Sequence, residues 1–302
     1  MRYKDYDGPV EKLVEMKLKE IEEKEHVRIL HAVESGSRAW GFASPDSDYD
    51  VRFIYVRRPE DYLRLDSCRD VIEWELDETL DINGWDLQKT LRQYHRSNAT
   101  LFEWANSPVV YRTTKEWEEI HRRASEYFSI KSALYHYYGT AKKNFLEYLQ
   151  GDIVNYKKYF YVIRPVLACK WIEEHACPPP VLFSQLVEAE LAESETTAAS
   201  PETTAAEPTE SESVKKETNQ KSFVTHQFTL PEIRQSLDYL LEIKKKSPES
   251  GSGRRIEVLN HFIESEINHY KEILDHMEDD RKEEWLPLNS IFFDSLNQQE
   301  RK

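Results

Sequence analysis

Between Val10 and Glu25 apolar residues recur every three or four positions among charges (Val10, Leu13, Val14, Met16, Leu18, Ile21), which predicts an amphipathic helix. The period then shortens. Val27 to Val33 and Val51 to Val56 are runs rich in branched and aromatic residues, and both predict strands. Val71 to Leu76 and Thr79 to Trp85 predict two more, joined by a tight turn near Asp77-Glu78. Asp86 is placed to open a helix from Leu87 to about Arg96, because a short acceptor side chain satisfies free backbone N–H groups in a first turn. Asn98 reads as a residue of that helix's C-terminus. The order describes a small mixed sheet with helices packed against it.

Past Arg112 the pattern is helical. Lys115 to Phe128, Ile130 to Leu149, Ile153 to His175, Leu230 to Lys245 and Arg254 to Met277 all lack strand-like alternation. The fold class expected is therefore α+β, with a small mixed-sheet domain over residues 1–112 and a helical domain over 113–302. Within the helical part, the tract from Val187 to Ser222 has almost no large apolar residue after Leu191 and is dominated by Glu, Thr, Ala, Ser and Pro. Such a segment cannot bury enough surface to offset its ordering entropy, so a disordered acidic insertion is expected there.

Composition narrows the function classes. The 302 residues carry 56 acidic against 41 basic side chains, a net charge of −15, and that field repels a long nucleic-acid backbone. Binding of long duplex DNA is not expected, and any nucleic-acid contact must use a local basic patch. The three cysteines, Cys68, Cys169 and Cys177, form no C-x-x-C pair, which fits a reducing compartment. No apolar stretch is long enough for a signal peptide or a membrane span, so an intracellular, cytoplasmic protein without a membrane partner is expected. The ten histidines show no H-E-x-x-H or similar ligand spacing and read as structural or surface residues.

The chemistry is concentrated in residues 36–50, GSRAWGFASPDSDYD, where two of only eight glycines flank a Ser-Arg-Ala-Trp run. Gly36 allows the backbone to approach a ligand, and the Ser37 hydroxyl with neighbouring N–H groups can hold phosphate oxygens. Asp48 and Asp50 alternate with Tyr49 and Val51, so in a strand both carboxylates share one face. Two like charges so close repel unless a cation sits between them, and a divalent metal with a taste for hard oxygen ligands, Mg²⁺ or Mn²⁺, meets that need. Arg52 falls on the same face and can meet the same phosphates, with Arg38 a second candidate. Asp46, after Pro45, reads as turn chemistry, and Trp40 and Phe42 as packing for the loop. Farther along, Lys157, Lys158 and Arg164 are candidates for a local basic patch that receives a triphosphate tail or an RNA end. Tyr135, Tyr137, Tyr138, Tyr159 and Tyr161 read as packing residues.

Gly-Ser, a spacer, then Asp-x-Asp resembles the signature of the DNA polymerase β-like nucleotidyltransferase superfamily. The longer string GSRAWGFASPDSDYDVRFIYV, with DINGWDLQKTL and SPVVY downstream, resembles the YcgL-type predicted nucleotidyltransferases, also called the RNA-repair-pathway polymerase β family. KKYFYVIRPVLACKWIEEH (Lys157 to His175) is similar to that family's second domain. The likeness covers most of the chain except the acidic insertion and about the last thirty residues. It implies a third carboxylate on an adjacent strand, for which Asp81 is preferred because it alternates with apolar neighbours, with Asp86 as the alternative. It also implies two metal ions, held by Asp48, Asp50 and the third carboxylate, and transfer of a nucleoside monophosphate from an NTP to an acceptor hydroxyl with release of pyrophosphate. The family name suggests an RNA end as acceptor, and the acidic surface favours a short or structured one.

Overall fold

The alternation in the N-terminal part of the chain produces a five-stranded mixed sheet. The computed structural model describes residues 5–44, 47–66, 68–75, 79–191, 228–246 and 251–299. The first part runs α1 (Val10–Glu25), β1 (Val27–Glu34), a short α2 (Gly36–Ala39), β2 (Tyr49–Arg57), α3 (Pro59–Tyr62), β3 (Val71–Glu75), β4 (Leu80–Asp86), α4 (Leu87–His95), α5 (Ala99–Ala105) and β5 (Val110–Thr113). The second part continues α6 (Lys115–Ala124), α7 (Ile130–Tyr148), β6 (Ile153–Asn155), α8 (Lys157–His175), α9 (Phe183–Glu190), α10 (Leu230–Lys246), β7 (Ser252–Arg254), α11 (Glu257–His276) and α12 (Leu286–Gln299).

Strand order in the sheet is β3-β4-β2-β1-β5, with β2 and β4 parallel and the other pairs antiparallel. Helices cover both faces, which is why β2 reads as a nearly continuous apolar run. On one face Leu13, Val14, Leu18 and Ile21 of α1 pack on Val51, Phe53, Tyr55 and Ile82. On the other, Leu30, Ile54 and Val56 meet Leu91 of α4, Trp104 of α5 and Trp117 of α6. A third core lies among α7 to α11, and Phe42 from the loop after α2 inserts into it, 5.1 Å from Phe160 and 5.6 Å from Phe183 between ring centroids. That insertion ties the Gly36–Asp50 loop to the helical half.

The α+β class stands, and several local expectations change. Asn98 does not end a helix: its side chain accepts the Leu101 N–H as the N-cap of α5. Val110–Thr113 adds an edge strand, and Ile153–Asn155 pairs with Ser252–Arg254 instead of extending helices at both places. Such three- or four-residue strands are too short to print a period, and their partners lie far away in sequence. Val187 to Glu190 close α9 and Leu191 is its C-cap, with Val187 and Leu191 buried. The remainder of the expected insertion, residues 192–222, and the Asp77-Glu78 turn lie outside the described residues. Helix α12 returns to the sheet half, where Leu288 and Ile291 join the core of α4 and α6. Ile291→Ala is expected to destabilise the protein by about 2–4 kcal/mol in urea unfolding, while Phe293→Ala on the exposed side of the same helix changes it by no more than about 0.5 kcal/mol.

Candidate active site

Parallel pairing of β2 with β4 sets Asp50 directly opposite Asp81, and Arg52 opposite Asn83, on one face of the sheet. The Arg52 guanidinium lies between the two carboxylates, 2.9 Å from Asp50 and 2.8 Å from Asp81. Burial raises the pKa of Asp50; Arg52 opposes that shift, and the negative charges of Asp81 and Asp48 add to it. Asp48 is exposed and lies one residue before β2 begins, outside the ladder that holds Asp50. Asp50 and Asp81 thus meet on two neighbouring strands with the negative charge of Asp48 felt at Asp50, and the cation already drawn between the pair marks a place where positive charge is required. That donor set fits Mg²⁺ or Mn²⁺.

The backbone at this end of the sheet is held closely. Gly36 has φ +62°, and a Cβ placed on it would lie 2.5 Å from Oδ2 of Asp50. Only glycine satisfies both constraints. The Ser35 N–H donates to the Asp50 carbonyl at 2.8 Å, and the Asp50 N–H donates to Oε1 of Glu34 at 2.7 Å. Glu34 is 1% exposed and also accepts the Tyr111 hydroxyl from β5; burial raises its pKa. Ser37 lies half-buried in α2, where its carbonyl accepts the Phe42 N–H at 3.2 Å.

The expected phosphate-binding cations are placed differently from the sequence expectation. Arg38 turns its guanidinium onto the carbonyls of Ser47 (3.2 Å from Nε) and Asp48 (3.1 Å) and lies 3.6 Å over the Tyr49 ring, so it braces the loop. Arg52 is taken up by Asp50 and Asp81. Arg164 is 4% exposed and is paired with Glu103 at 2.9 Å, which removes it from any ligand surface. Lys157 is half-buried at the start of α8, with its backbone N–H on Asn155 Oδ1.

Glu103 is a residue that sequence reasoning missed, as were Glu34 and Tyr111. Its carboxylate accepts from Tyr137, from Arg164 and from the indole N–H of Trp40, joining α5, α7, α8 and the residue after α2. A carboxylate between Phe102 and Trp104 in a helix gives no cue to such partners. Glu34 had a weak signal, a charge closing an otherwise apolar strand just before the Gly-Ser pair.

Asp86 is corrected from alternative ligand to structural cap. It lies five residues along β4 from Asp81, roughly 17 Å away along an extended strand. Its carboxylate accepts the Gln88 N–H at 2.7 Å and the Tyr62 hydroxyl at 2.8 Å, and burial raises its pKa to about 6. His31 stacks on Trp117, its pKa lowered to about 4 by burial. His175 lies with Glu174 and Glu190 in a surface group whose ligand atoms fall within 4.8 Å of one another.

The model of the RNA repair pathway DNA polymerase beta family matches residues 10–230 and 221–294, so the likeness extends into the C-terminal helix, beyond the stretch that the motifs cover. The uncharacterized protein YcgL of Bacillus subtilis (strain 168) is 38% identical over 282 residues, 93% of this chain and 94% of that one. A solved nucleotidyltransferase-like protein from Exiguobacterium sibiricum 255-15 aligns over 96% of this chain and 88% of its own at 12% identity, with a TM-score of 0.29. No described helix is long and apolar enough to cross a membrane.

Gly36→Ala is expected to lower stability by about 1–2 kcal/mol, through strain at positive φ and displacement of the Asp50 carboxylate, as read by thermal unfolding. A carboxyl whose pKa is raised on folding stabilises most below its unfolded value and loses that contribution as pH rises through its folded value. Asp86→Asn should therefore gain stability relative to the unsubstituted protein as pH rises from about 4 to about 6, and paired urea midpoints at pH 4 and pH 7 would read the difference.

Proposed function

We propose, from the premise that this chain belongs to the RNA repair pathway DNA polymerase beta family, that its carboxylate cluster transfers a nucleoside monophosphate from an NTP to an acceptor hydroxyl and releases pyrophosphate. Family membership points to nucleotidyl transfer as the general activity. The observation that carries the finer reading is the register of β2 on β4, which sets Asp50 and Asp81 side by side with Asp48 at the strand mouth. Asp48, Asp50 and Asp81 would hold two Mg²⁺ or Mn²⁺ ions, which supply positive charge against the α-phosphate and the pyrophosphate and lower the pKa of the attacking hydroxyl.

The chain's own residues do the positioning. Gly36 leaves open the space beside Asp50, and Glu34 holds the Asp50 backbone N–H, which fixes the strand from which the Asp50 carboxylate projects. Arg52 keeps Asp50 and Asp81 from repelling each other before substrate arrives. The acceptor we favour is an RNA end. A chain of net charge −15 can hold a short or structured end near one basic patch, whereas a long strand would be repelled along its length.

The test is incubation with Mg²⁺ or Mn²⁺, each α-labelled NTP in turn, and total RNA or cell lysate. Label entering RNA, and lost in Asp48→Ala and Asp50→Ala, is the expected result; label entering protein instead would move the acceptor to a protein hydroxyl. Asp81→Asn should reduce transfer by at least about 100-fold and Asp86→Asn by less than about tenfold, and the reverse order would assign the third carboxylate to Asp86.

A further inference from the structure

Resting on the nucleotidyl-transfer reading, one question stays open: which side chains receive the phosphates that leave. Arg38, Arg52 and Arg164 are each engaged by protein groups, as described above. An NTP brought beside three carboxylates needs positive charge and donors from the wall across from them.

That wall is α8. Every residue from Tyr159 to Cys169 is buried except Tyr161, which is half-exposed. The Tyr161 ring meets the edge of Trp40, just after the Gly36–Ala39 turn, with centroids 6.0 Å apart. Its hydroxyl has a raised pKa, caused first by burial and then by the negative charge of Asp50 and Asp48. Lys158, one helical turn earlier, holds its ammonium 3.9 Å from the Tyr148 ring and 5.8 Å from the Tyr161 ring. Among the described residues, neither the Lys158 ammonium nor the Tyr161 hydroxyl has a hydrogen-bond or carboxylate partner. A cation seated on aromatic faces has its stem ordered while its N–H groups remain available.

We propose that Lys158 and Tyr161 form the subsite for the β- and γ-phosphates of the NTP, the same groups that depart as pyrophosphate. Lys158 supplies the point charge and Tyr161 a hydroxyl donor on the carboxylate side. Tyr148 and Trp40 hold the two side chains in place. The triphosphate then spans the cleft from the strand ends of β2 and β4 to α8.

Calorimetric titration of the full chain with Mg²⁺ and each NTP, the matching nucleoside monophosphate and inorganic tripolyphosphate tests the assignment. Lys158→Met keeps the stem on Tyr148 and removes the charge, and Tyr161→Phe keeps the ring and removes the hydroxyl. Lys158→Met should weaken NTP and tripolyphosphate binding by about tenfold or more and Tyr161→Phe by about threefold, with monophosphate binding unchanged in both. Thermal unfolding run alongside shows whether each variant is folded, and Tyr161→Phe serves if Lys158→Met is not. NTP binding that is lost in Asp50→Ala but unchanged in both α8 variants would overturn the subsite and leave the transfer reading standing. An unsubstituted protein that binds no NTP and labels no acceptor would overturn both.

Discussion

Mutual repulsion between carboxylates organises this end of the molecule. Asp50 and Asp81 are locked side by side by the parallel ladder of β2 on β4, and neither can move away without breaking it. Arg52 lies between them, and the partial burial of Asp50 makes the cation's presence matter more than it would in open water. The same crowding of negative charge that is costly in the resting protein is what the proposed transfer would use to hold cations and, through them, phosphates.

Holding such a cluster requires anchorage from both halves. From the sheet, Glu34 and Ser35 fix the two backbone polar groups of Asp50, and Tyr111 on the edge strand satisfies the second oxygen of Glu34. From the helices, Phe42 is buried among Phe160 and Phe183, and Glu103 gathers Trp40, Tyr137 and Arg164. The Gly36–Asp50 loop is thus pinned at its start, middle and end, with Arg38 bracing the stretch before Asp48. A glycine at position 36 fits this crowding because any side chain there would collide with Asp50.

The distribution of positive charge follows from the same constraint. In a chain with 56 acidic residues, arginines near the cleft are drawn first to internal carboxylates and carbonyls. Arg164, the most deeply buried of them, serves the interior entirely. Lys158 is seated instead on aromatic rings, where the attraction is weaker and the ammonium keeps its hydrogen-bonding capacity.

Local pattern in the chain was enough to dictate the α+β class, α1, the four long strands and the main helices, because each is written in a short period. The period-2 alternation around Asp81 also set it on the face where Asp50 points, and the capping chemistry of Asp86 was legible from its residue type and its place ahead of an apolar helical run. What lay beyond reach were contacts between distant segments. Arg38, Arg52 and Arg164 were legible as cations but not as cations already engaged, since their partners at Ser47, Asp81 and Glu103 are set by the fold. Asn98 changed from the end of one helix to the start of the next for a similar reason: the residue type suits both, and the backbone path decides. Folding in three dimensions brought Glu34 and Tyr111 to Asp50, Glu103 to Trp40, and α8 across from the strand ends, because burial and pairing over long sequence separations leave no periodic mark in the chain.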